Sequence, residues 1–183
     1  MTLRVITPPT VEPVSVETAK AFLRIDGTAD DALLAVLVPA AREKGEQITR
    51  RAFTTQTLEM TVDAWPIDGY VLKVLRPPLL SVVSVKYLDE DAAQSTWTDY
   101  AVDIKSEPGN ILFNSFPAVT LQETGGITVR FTAGYGAAAT DVPQTIKQAI
   151  LLLIAYWFEN REMGGVVPGG IRDMFLSERV VWF

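Results

Sequence analysis

An α+β fold, with a small helical body and a β-rich insert, is predicted by three observations. Apolar residues recur every three or four positions near residues 31–52 and 143–163. Between those stretches the apolar period drops to two over about 75 residues, the signature of half-buried strands. Proline, glycine and capping residues sit where the period changes.

The elements follow in order. Residues 1–14 carry Pro8, Pro9 and Pro13 and read as an extended N-terminal arm. Ser15 is an N-cap, because its hydroxyl can accept a free amide of the first turn. The helix behind it, "VETAKAFLRI", should turn Val16, Ala19, Phe22 and Leu23 inward. Thr28 and Asp31 have the spacing of a capping box, with Asp in place of Glu. A second helix then runs from Asp31 to about Ala52, and Leu34, Leu37, Ala41, Gly45, Ile48 and Ala52 trace one face. Small residues line its second half, so something can approach the backbone closely. Pro39 should kink it, since proline lacks an amide and crowds the preceding turn. Residues 15–55 thus form the first part of the helical body.

Residues 56–133 form the insert. Leu58, Met60 and Val62 alternate with Thr57, Glu59 and Thr61. "YVLKVL", "SVVSVKYL", "YAVDI", "NILF" and "ITVRFT" also read as strands, with "WPIDG", "RPP", "DEDAA" and "EPGN" as turns. Pro143 at a first helical position opens a third helix to about Met163, and residues 140–163 complete the body. Ile146, Ala149, Ile150, Leu153 and Trp157 form one face, while Leu151, Leu152, Ile154, Ala155 and Phe158 cover the rest. A helix apolar nearly all round is buried on more than one side, and one side can belong to another subunit. Residues 164–183 are a glycine- and proline-rich link, a short amphipathic piece, and then Val180, Val181, Trp182 and Phe183. Those four residues either fold back into the core or are held by another molecule.

Composition narrows the chemistry. The chain has no histidine and no cysteine, which removes His-dependent triads, thiolate metal sites and disulfides. No catalytic, metal-binding or cofactor-binding residue is assigned. A net charge of −6 disfavours a tight grip on DNA phosphates. Met1 to Pro9 lacks the pattern of a signal peptide, and the apolar run Ala149–Phe158 is too short to span a bilayer.

Four further patterns have competing readings. Asp89, Glu90 and Asp91, with Asp99 and Asp103 nearby, could do acid–base work or bind a divalent cation, but they read better as solvated turns. Gly134-Tyr135-Gly136 lacks the spacing of a phosphate loop. Arg42, Lys44, Arg50 and Arg51 could touch DNA phosphates, although interleaved Glu43 and Glu46 favour ion pairs. Arg161, near the end of the third helix, suits the helix dipole or an inter-subunit ion pair.

The ordered segments "PVSVETAKAFLRID", "DDALLAVLVPAARE", "RAFTTQT", "LRPPLLSVVSVKYLD", "VRFTAGYG" and "VPQTIKQAILLLIAYWFENRE" cover roughly residues 5–163. Together they resemble phage head–tail connector (adaptor) proteins of the gp6-like and phiE125 gp8 families. Gly45 departs from the bulkier residue expected there, and "DEDAA" lacks the usual Asp-Gly. The resemblance implies a non-enzymatic structural protein of the virion neck in a phage, prophage or gene transfer agent, assembled in the bacterial cytoplasm. It implies a homo-oligomeric ring of about twelve copies with heterologous interfaces. The ring would lie beneath the portal protein, extend the DNA channel without binding DNA tightly, and meet a stopper or tail protein below. On that reading residues 164–183 form a flexible portal-binding tail, with Val180, Val181, Trp182 and Phe183 as its portal contact. Leu152, Phe158, Arg161, Ala41 and Gly45 are candidates for the subunit interface. A stopper or tail-terminator lower in the neck is the alternative. An enzyme using carboxylates of the insert would need convergent, pKa-perturbed acids, which the sequence does not present.

Overall fold

The computed structural model describes residues 1–66, 69–160 and 167–180. Among the described residues eight strands and four α-helices run in the order β1 (Thr2–Thr7), α1 (Val16–Leu23), α2 (Asp31–Thr49), β2 (Gln56–Val62), β3 (Val71–Lys73), β4 (Leu79–Leu88), β5 (Gln94–Trp97), β6 (Tyr100–Asp103), β7 (Asn110–Phe113), β8 (Ile127–Ala133), α3 (Gln144–Asn160) and α4 (Gly169–Leu176). This is the α+β class that the change of period predicts. The chain divides into two compact units, one made of Met1–Pro9 and Thr55–Gly134, the other of Thr10–Thr54 and Tyr135–Val181, apart from single terminal residues.

The first unit is all β. Its main sheet has the order β1-β2-β8-β4-β5 and a second, three-stranded sheet has the order β3-β7-β6. β2 alternates strictly between buried and half-buried residues. Its register on β8 sets Leu58 opposite Phe131 and Met60 opposite Val129, so both strands turn the same apolar face to the core. Trp65 stands at the centre of an aromatic cluster, with Phe113 and Phe116 each at 5.2 Å between centroids and Tyr87 and Trp97 beyond them. The N-terminal arm differs from expectation. Its first half is β1, paired antiparallel with β2 from Thr2↔Thr61 to Thr7↔Thr57. The strand is almost wholly exposed, because edge pairing needs backbone groups and little side-chain burial.

The second unit is helical. Leu34, Leu37, Val38, Ala41, Phe53, Ile146, Ala149, Ile150, Leu153, Trp157 and Phe175 belong to one core. Ser15 caps α1 as expected, its Oγ accepting from the Thr18 amide at 3.1 Å. Phe22 does not face inward and is 39% exposed, whereas Ala19 is fully buried. The Thr28–Asp31 box does not form either. Asp30 is the cap residue of α2, and the Asp31 carboxylate accepts instead from Lys20 Nζ at 2.5 Å.

The largest departure is at the C-terminal end. The described part of the expected flexible link contains α4, which folds back onto this unit's own core. Phe175 is fully buried and stacks on Phe53, with ring centroids 6.5 Å apart. Val180 is buried too, and its amide donates to the Thr49 carbonyl at 3.0 Å.

Candidate functional site

The residues singled out by sequence fall into three groups. Ala41 and Gly45 lie on the buried face of α2. A Cβ at Gly45 would stand 2.6 Å from Phe175 and 2.8 Å from Phe53. The small-residue seam therefore admits two aromatic rings of the same chain, a correction to its assignment as a subunit contact. On α3, Phe158 is half-buried and packs on the helical core, so part of the expected free face is already used. Leu152 is also half-buried, and it is not among the residues packed on that core. Arg161, Val181, Trp182 and Phe183 lie outside the described residues. Val180 is not held ready for a partner, because its own subunit covers it.

Apolar exposure sits elsewhere. On α2, Leu33 is 40% and Val36 52% exposed, one helical turn apart, and Phe22 of α1 is exposed as well. Periodicity does not single out Leu33 and Val36, because they lie off the stripe traced by Leu34, Leu37 and Ala41. That displacement was itself the available signal: an apolar pair outside the core-facing stripe needs another cover.

The basic side of α2 is split by the fold. Arg42 is buried, with Nε donating to Glu12 at 2.8 Å and Nη1 to Glu46 at 3.1 Å. The other Glu46 oxygen accepts from the Phe53 amide at 2.9 Å, tying the end of α2 to the segment that follows. Arg51 donates through Nε to the Glu178 carbonyl at 2.5 Å and lies over the Tyr135 ring. Neither is available to DNA phosphates. Lys44 and Arg50 instead line an open cleft of about 470 Å³, where Arg172 and Arg179 join them.

The acids of the β unit are used in turns. Asp89 Oδ1 accepts from the amides of Asp91 and Ala93 at 3.1 and 2.8 Å. Asp99 accepts from Ser115 and Asn114, and these bonds hold its carboxyl below the ordinary range. Asp103 is lowered in the same sense, chiefly by Ser106 and then by the backbone at Lys105. A carboxyl serving as a general acid near neutral pH needs the opposite shift. Among the described residues no group of three acidic residues is placed to hold a metal ion, and no helix is long and apolar enough to cross a membrane.

A family model for head completion proteins matches residues 12–178. The chain belongs to the head completion protein family. No curated protein sequence matches this head completion protein. Solved structures do. It is similar over 100% of its length, and 97% of the other chain, to a chain in the neck of an empty gene transfer agent (GTA) particle computed with C6 symmetry, at 24% identity and a TM-score of 0.82. A chain in the virion of a native GTA particle is similar over the same shares, at 23% identity and a TM-score of 0.78. A chain in the neck of a native GTA particle computed with C12 symmetry gives 24% identity and a TM-score of 0.71, again over 100% and 97% of the two chains. At these identities the likeness establishes a shared fold.

Proposed function

We propose that this chain is a head–tail connector of a tailed phage, prophage or gene transfer agent, acting as an oligomeric adaptor in the virion neck. The observation that carries the reading is the head completion family match over residues 12–178. The full-length likeness in fold to chains of GTA necks supports it.

The adaptor is a structural protein and not an enzyme. It forms a ring of about twelve copies, in which one face of a subunit meets a different face of the next. Leu33 and Val36, exposed one turn apart on α2, supply one apolar face, and Leu152 with the free part of Phe158 supplies a candidate for the other. The ring joins the portal protein above to a stopper or tail protein below. DNA passes through it without tight binding, because the net charge of −6 repels phosphates. Val181, Trp182 and Phe183 supply the portal contact.

Inactivating the gene in its own phage or agent tests the reading. The expected particles are DNA-filled heads separate from tails, rejoined when the gene is supplied in trans. Normal tailed particles from the inactivated gene would overturn it.

A further inference from the structure

The cleft on the helical unit combines two kinds of surface. Lys44 and Arg50 come from the end of α2, and Arg172 and Arg179 come from α4 and the turn after it. None of the four makes an ion pair among the described residues. No described acidic residue lines the cleft, although the chain carries 22. Ile48, Val167 and Leu176 form its apolar walls. Four like charges around one concavity repel each other, and a bound anion relieves that repulsion.

We propose that this cleft binds an acidic segment of a partner protein, one that presents carboxylates together with an apolar side chain. Arginine guanidinium groups recognise carboxylates through paired hydrogen bonds, and arginine clusters are a recurrent means of reading acidic motifs. The apolar walls decide between peptide and DNA. A sugar-phosphate backbone would satisfy the cations but leave Ile48, Val167 and Leu176 with nothing to bury against. An acidic peptide bearing a leucine or similar residue fills both. The rest of the chain argues in the same direction, since a net charge of −6 repels a duplex that extends beyond the cleft. This site stands independently of the neck role, because it rests on the cleft's own charge and shape.

The test is a fluorescence-anisotropy titration of the full chain with a labelled peptide of alternating glutamate and leucine. A control peptide carries glutamine in place of glutamate, and a labelled duplex DNA is run in parallel. The glutamate peptide should bind more tightly than the control and lose affinity as salt rises. The double variant Lys44→Glu/Arg172→Glu should weaken it by about tenfold or more while keeping the parent melting temperature. Lys44 is half-buried and Arg172 exposed, and neither belongs to the core. If the reversal melts early, Lys44→Gln/Arg172→Gln is used and should weaken binding in the same direction. Equal affinity for the two peptides, or unchanged affinity in the variants, would overturn the proposal. So would duplex DNA that displaces the peptide, which would make this a phosphate site. Self-association of the parent that the charge variants abolish would also overturn it, by making the occupant a second copy.

Discussion

Glu46 ties α2 to the segment that follows it. One oxygen meets buried Arg42 and the other takes the Phe53 amide. Without Glu46, Arg42 keeps its ion pair with Glu12, but the buried Phe53 amide loses its acceptor, at a cost of about 1–3 kcal/mol. Glu46→Ala should therefore lower stability by that amount in denaturant unfolding, and a loss below about 1 kcal/mol would place the network in the solvated class. The sequence indicated that Arg42 would pair with its neighbours, since Glu46 lies one turn away. It did not indicate the burial, because Glu12 reaches Arg42 from outside the helix. Asp99 makes a second residue-scale prediction. Its folded-state pKa is depressed by Ser115 and Asn114, so its stabilising contribution is full above the ordinary value of 3.8 and is lost as pH falls through the depressed one. Asp99→Asn should cost stability at pH 7, and the gap to the parent should close on acidification below that range. A gap that stays constant with pH would contradict the assignment.

α4 shows how an element can be hidden by its own composition. It opens with Gly169 and Gly170, among the poorest helix formers, directly after Pro168. Read locally, that is a link. What makes the helix is tertiary: Phe175 enters the space that Gly45 leaves over α2. Phe175→Ala should cost about 3–5 kcal/mol. Gly45→Ala should cost about 1–3 kcal/mol, because its methyl group meets two aromatic rings. Ending the chain at Gly170 should lower the melting temperature clearly, and an unchanged value would restore the flexible-link reading. β1 and β5 lack a local signature for related reasons. "TLRVIT" is an exposed edge strand beside prolines, and "QSTW" is four residues long with three exposed. Neither needs an alternating pattern, because backbone pairing alone holds an edge. β2 and β8, buried on one face, were legible from their period.

For the molecule as a whole, class and order of elements were readable because they follow from local periodicity. The candidate surfaces were not, because they depend on which apolar face the fold has already covered. The α3 face at Phe158 and the seam at Gly45 are partly or wholly used inside the chain, while Leu33 and Val36 are left out. The same fold-back brings Arg172 and Arg179 to Lys44 and Arg50 from more than a hundred residues away in sequence. The assembly account assigns Leu33 and Val36 to a ring contact, so Leu33→Asp/Val36→Asp should block ring formation with little change in thermal stability. Wild-type rings from that variant, seen by negative-stain electron microscopy, would remove these residues from the interface.

The central claim is that this chain joins a portal as a ring. Native mass spectrometry of the chain co-expressed with the portal protein of its own particle tests it most directly. The account predicts one complex in which a portal ring carries about twelve copies of the chain. A portal that emerges bare, beside monomers of this chain, would contradict it.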